Sequence, residues 1–92
     1  MREGVRFVVI SSKAKKQLLK TPTHIVSKLK SWVEVVEESR VNTARRIPGF
    51  HDEPLKGVRR GQRSIRLSRS YRALYTEQAR LIVIEEGNKH EY

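Results

Sequence analysis

The sequence predicts an α+β fold: two N-terminal helices packed on one face of a small, mixed, four-stranded sheet, in the order β-α-α-β-β-β. Three observations predict it. A β-branched and aromatic run, VRFVVI, stands at Val5–Ile10. Two stretches with helical spacing follow it, and then three strand-like segments separated by turn residues. Helices and strands are thus segregated along the chain, which favours two layers over an alternating α/β architecture. At 92 residues the chain has the length of a single domain, taken as residues 1–92.

Each element has its own reason. Val5–Ile10 reads as a strand buried on both faces. Ser11 or Ser12 can cap a short helix through its hydroxyl oxygen. Over Lys13–Lys20, Ala14 and Leu18 lie four apart and Leu19 widens the apolar stripe, while Lys13, Lys15, Lys16 and Lys20 face water. Thr21 reads as the N-cap of a second helix, with Pro22 as its first residue. Ile25, Leu29, Trp32, Val33 and Val36 then share one helix face. Glu34, Glu37 and Glu38 gather towards the C-terminal end, where negative charge opposes the helix dipole. Either solvent or the nearby Arg40, Arg45 and Arg46 can compensate them.

Residues 40–54 read as a connection, because Pro48-Gly49 and Pro54 interrupt regular structure. Its first part can continue the helix by a turn or two, and Phe50 is the expected anchor to the core. In the strand Gln62–Ser68, Ile65 and Leu67 point one way while Ser64, Arg66 and Ser68 point the other. Arg69-Ser70 forms the hairpin connection. In Tyr71–Thr76, Tyr71, Ala73 and Tyr75 share a face, and Arg72 lies beside Leu74 on the opposite one. After a turn at residues 77–80, Leu81–Glu86 is apolar on both faces and is expected to be central.

Twenty Lys and Arg against ten Asp and Glu give a formal net charge of +10 and a pI near 10.6. Such a potential attracts polyanions, so nucleic acid is the leading partner class and an anionic membrane the weaker one. Without cysteine, neither a disulfide nor a thiolate metal site is available. No apolar run reaches the roughly 20 residues that span a bilayer, and the N-terminal run is too short for a signal peptide. No membrane association is expected, and the cytoplasm is the default location.

The densest charge lies in Leu55–Tyr75, LKGVRRGQRSIRLSRSYRALY, with seven basic side chains between Lys56 and Arg72 and no acidic one. Arg60, Arg63, Arg66, Arg69 and Arg72 recur every third residue, a spacing that alternates faces on a strand. They cannot all meet one ligand surface. Arg66 and Arg72, on neighbouring strands, can flank a phosphate with charge-assisted hydrogen bonds; Arg60, Arg63 and Arg69 supply general attraction.

A second informative stretch is the C-terminal NKHEY. RNA can be cut by its own 2′-hydroxyl if a base, an acid and charge stabilisation at phosphorus are supplied. His90 can be acid or base, Tyr92 can orient or exchange a proton, and Lys89 can stabilise the phosphate. A solvated polar tail is the plain alternative. His51 precedes the basic stretch and can approach the same site; His24 reads as exposed. No HExxH pattern supports a metal, Gly57 and Gly61 belong to no phosphate-binding loop, and no serine sits in a nucleophile elbow. No cofactor and no metal are expected.

HDEPLKGVRRGQRSIRLSRSYRALYT, followed by a strand and KHEY, resembles the RelE/ParE superfamily of bacterial toxins, and within it the RelE- and HigB-type members. The resemblance covers nearly the whole chain, since the order of elements is also that of the family. It implies a RelE-like fold and a type II toxin–antitoxin toxin that cleaves translated mRNA in the ribosomal A site. Its implied partners are mRNA, the 70S ribosome with its 16S rRNA, and a cognate antitoxin that joins the otherwise monomeric toxin in a hetero-oligomer. By position, the resemblance makes Arg66, Arg72, Lys89, His90 and Tyr92 the catalytic set. Lys56 matches the lysine of the HigB-type PLKG element, with His51 a looser counterpart of its histidine; Arg59, Arg60 and Arg63 complete the RNA-binding set. Two departures stand out. This chain offers Ser64 with Arg66 where RelE-like members often carry two basic residues, and Asp52 and Glu53 separate His51 from PLKG. ParE-like relatives inhibit DNA gyrase instead and lack the RNase residues, and a basic nucleic-acid-binding module without catalysis is the other alternative.

Overall fold

A parallel pairing between the two strands farthest apart in sequence organises the molecule. The computed structural model describes residues 7–78 and 81–89. In it, β1 (Phe7–Ile10) pairs with β5 (Leu81–Lys89), Val8 standing opposite Ile82 and Ile10 opposite Ile84. Between them the chain forms α1 (Ser12–Leu19), α2 (Thr23–Ser39), α3 (Val41–Arg45), β2 (Glu53–Pro54), β3 (Arg63–Arg66) and β4 (Tyr71–Gln78). The sheet order is β1-β5-β4-β3-β2, antiparallel except for the β1–β5 pair.

The helical spacing of α2 does what its pattern demands. Ile25, Leu29, Trp32 and Val36 are buried and meet Ile65, Ala73, Tyr75, Ile82 and Ile84 from the sheet. The Trp32 and Tyr75 rings pack tilted, with centroids 4.8 Å apart. Phe50 is buried as expected and anchors the loop after α3.

Ser11 is the cap of α1. Its hydroxyl accepts from the Ala14 amide at 3.0 Å and donates to the Glu85 carbonyl at 3.0 Å. Further along, the Gly87 amide donates to Gln17 Oε1 at 2.8 Å. Helix α1 therefore closes the edge of β5 where β1 has ended, supplying acceptors and donors that a strand would otherwise provide.

Several expectations change. The sheet has five strands, because Glu53–Pro54 pairs with Arg63–Ser64 at the edge; Pro54 lacks an amide proton and is tolerated there. A third helix exists, since Arg40 adopts φ 105° and breaks α2 before α3 begins. β1 is not buried on both faces: as the edge strand it leaves Phe7 70% and Val9 47% exposed, while Val5 lies outside the described residues. Leu19 points into solvent rather than widening the α1 stripe. Thr21 does not cap α2; its hydroxyl donates to the Gln17 carbonyl and closes α1, leaving Pro22 in the cap position.

Candidate functional site

The helices cover one sheet face, and Arg66 and Arg72 lie on the other. Ile65, Leu67, Ala73 and Tyr75 belong to the core, with Tyr71 packed against it, so alternation turns Ser64, Arg66, Arg72 and Leu74 to the opposite face. Arg66 and Arg72 are directly opposed across the β3–β4 ladder, and Asn88 pairs with Arg72 from β5. Like charges placed directly opposite destabilise a sheet. Among the described residues neither guanidinium has a carboxylate within ion-pair distance. Arg66 Nε is buried with no acceptor among the described residues, whereas Arg72 Nη1 donates to the Ser64 hydroxyl at 3.0 Å. A buried cationic donor without an acceptor is costly, and an anion placed between these arginines would relieve it.

One row along the same face, β5 carries Glu86 opposite Leu74. A bulge between Ile84 and Glu86 adds Glu85 to the strand. Glu85 Oε1 accepts from Gln62 Nε2 at 2.5 Å, and Gln62 Oε1 accepts from Arg59 Nη1 at 3.0 Å. Arg59 also reaches Glu86 at 3.3 Å, as does Lys13 at 3.5 Å. These contacts tie the loop holding Lys56, Arg59 and Arg60 to β5. Gly57 and Gly61 make its sharp turns, with φ of 67° and 101°.

A second network gathers at Arg63, where β3 begins. The fully buried Asp52 carboxylate accepts from Arg63 Nε at 2.6 Å and from the Tyr75 hydroxyl at 2.7 Å. Arg45 Nε donates to the same hydroxyl at 3.0 Å, and its Nη2 reaches Glu77 at 2.9 Å. Burial, together with the hydrogen bond to Asp52 and its charge, raises the Tyr75 pKa far above the ordinary phenol value, although Arg45 works against this. Burial also opposes the charge on Arg45, but Tyr75 and Glu77 outweigh it and its pKa is raised.

The expected site residues therefore fall into distinct groups. Arg66 and Arg72 come together on one face, and Lys56, Arg59 and Arg60 are exposed on the loop beside β5. Arg63 is engaged with Asp52. His51 is exposed, in a left-handed conformation with φ 47°, and lies 3.9 Å from Glu53. Lys89 ends β5, with its backbone paired to Tyr71 next to Arg72. His90 and Tyr92 lie outside the described residues. The glutamates of α2 are not where Arg45 goes. Sequence reasoning missed the roles of Ser64, Gln62, Asp52 and Glu86. Only Ser64 left a signal, as a small polar residue on the Arg66 side of an alternating strand.

A separate feature lies on the helical side. An open groove of about 390 Å³ has an apolar floor of Ile10, Leu18, Val26, Leu29 and Val33, rimmed by Lys30, Glu34 and Glu37. Among the described residues no helix is long and apolar enough to cross a membrane, and no group of three or more His, Asp or Glu could hold a metal ion.

The architecture is the RelE/ParE-type toxin fold, as the resemblance implied. Solved structures with it include the Escherichia coli DinJ–YafQ toxin–antitoxin complex, with 22% identity over 92% of each chain and a TM-score of 0.71. The YoeB dimer from Staphylococcus aureus has 21% identity over 96% of this chain and 100% of that one, with a TM-score of 0.69. A YoeB/ParE toxin from Agrobacterium tumefaciens has 19% identity over 92% and 99%, with a TM-score of 0.68. No family model and no curated protein sequence matches the chain.

Proposed function

We propose that this chain is a single-domain toxin of a type II toxin–antitoxin pair, acting as a metal-independent, ribosome-dependent mRNA endoribonuclease. The observation that carries the proposal is the Arg66–Arg72 pair: two guanidiniums opposed on the sheet face away from the helices, one with a buried donor that has no acceptor among the described residues. A transferring phosphate, whose negative charge grows at the transition state, suits that arrangement. The 2′-oxygen attacks phosphorus as a base removes its proton; the bond to the 5′-oxygen breaks as an acid protonates it, leaving a cyclic phosphate and a free 5′-hydroxyl. His90 and Tyr92 are the proton-transfer groups in this scheme, following the resemblance, and Lys89 adds positive charge. The exposed Lys56, Arg59 and Arg60 draw in RNA, with His51 at the margin.

The partner on the helical side is a cognate antitoxin, in keeping with solved complexes of this fold, the E. coli DinJ–YafQ and S. aureus YoeB–YefM pairs. The groove on α1 and α2 offers an apolar floor and two carboxylates, which suit an amphipathic segment carrying Lys or Arg.

Inducing the chain in bacteria and mapping mRNA 5′ ends tests the proposal. Expected are cuts in translated frames that vanish when initiation is blocked, and cleavage by purified, EDTA-treated and desalted protein on programmed ribosomes. Intact transcripts in growth-arrested cells would overturn it. Blocked gyrase supercoiling would then point to a ParE-type inhibitor, and salt-sensitive RNA binding without cleavage to a non-catalytic module.

A further inference from the structure

Ser64 is a polar residue buried as a whole, at 1% exposure, on an interior strand of the sheet. Its backbone is held between Glu53 on β2 and Leu74 on β4. Its hydroxyl lies 3.0 Å from Arg72 Nη1. A burial site of this kind would suit alanine equally well in shape, and a buried hydroxyl stabilises only if it is hydrogen-bonded.

An arginine side chain is long and rich in rotamers, and among the described residues the Ser64 hydroxyl is the one side-chain partner of Arg72. A hydrogen bond to one nitrogen orients the planar guanidinium and leaves its remaining N–H groups available. Arg66, directly opposite, has no acceptor for its Nε among the described residues. We infer that Ser64 is a positioning residue: its hydroxyl fixes the Arg72 guanidinium so that the free N–H groups meet the scissile phosphate already oriented. The inference rests on the proposed nuclease reading, and acts through Arg72 alone.

The test combines Ser64→Ala, Ser64→Thr, Arg72→Ala and the double variant in single-turnover cleavage on programmed ribosomes. Thermal unfolding and NMR relaxation of the Arg72 Nε–H group are measured alongside. Ser64→Ala should lower the rate constant at saturation roughly tenfold, loosen the Arg72 Nε–H and leave the melting temperature nearly unchanged. Ser64→Thr, which keeps the hydroxyl, should restore both readings. In the Arg72→Ala background the Ser64 change should add nothing. Independent, multiplying losses would overturn the inference, as would an Arg72 Nε–H equally rigid in folded Ser64→Ala. If Arg72→Ala cleaves like the parent, the nuclease reading of this site fails instead, while the NMR arm still decides whether Ser64 orders Arg72.

Discussion

The Tyr75 hydroxyl donates to Asp52 across 2.7 Å, joining an interior strand of the sheet to the loop that precedes β2. Arg63 and Arg45 complete the network from β3 and α3. Four segments thus meet at one buried carboxylate and one phenol, beside the Trp32 ring.

Removing that carboxylate should be costly. Asp52→Ala leaves the Tyr75 hydroxyl and Arg63 without their shared acceptor, and is expected to destabilise the fold by about 2–4 kcal/mol. Tyr75→Phe deletes a hydroxyl but keeps the ring, and should lose about 1–2 kcal/mol. Urea unfolding measures both; losses under about 0.5 kcal/mol would show that the network has little energetic weight.

Alkaline pH should unfold the protein through the same phenol. The folded-state pKa of Tyr75 lies above its ordinary value of 10.0, so the unfolded chain releases this proton first. Its stabilising contribution is complete below that ordinary value and is lost as pH rises from there towards the folded-state pKa. Equilibrium unfolding between pH 9 and 11 (about one unit either side of the free phenol) should show stability falling with pH. Tyr75→Phe should flatten that fall. An identical slope in the variant would place its cause elsewhere.

The opposed arginines predict an asymmetry between activity and stability. Arg66→Ala and Arg72→Ala should each reduce cleavage by roughly a hundredfold, the scale of one lost transition-state donor. Because each change also relieves like-charge opposition, the melting temperature should stay level or rise slightly. A drop of several degrees in both variants, with cleavage retained, would make the pair structural.

Ser11→Ala removes two bonds at once, the α1 cap and the link to the Glu85 carbonyl. The expected cost is about 1–2 kcal/mol. Hydrogen exchange at the Gly87 amide should accelerate as α1 loosens along β5. Unaltered protection there would mean that Gln17 alone holds the edge.

Local pattern made much of the fold legible. The Ile25–Val36 spacing defined the buried face of α2, and alternation put Ile65 and Ala73 opposite Arg66 and Arg72. Non-local geometry was not legible in the same way. VRFVVI carries no mark of an edge position, which follows from its pairing with a strand at the far end of the sequence. Asp52, Arg45 and Tyr75 are separated by loops and helices, so their meeting depends on tertiary packing. The two-residue β2 is too short for any period to show. At the candidate site, the facing arginines could be read from the pleat, but the Ser64–Arg72 bond needed the β3–β4 register.

The pairing of β1 with β5 also bears on how the molecule is made. Ser11 and its partner Glu85 are 74 residues apart, so during synthesis the first strand and helix emerge long before the strand they pack against. Such distant contacts slow closure of the sheet and prolong exposure of apolar surface. For that interval Val8, Ile10 and the α2 stripe lack their covering strand, and the nascent chain is open to capture by whatever binds an apolar helix face. Arg72 on β4 gains its β5 neighbour Asn88 only when the sheet closes. A growing chain therefore offers its helical surface before it presents its finished basic face.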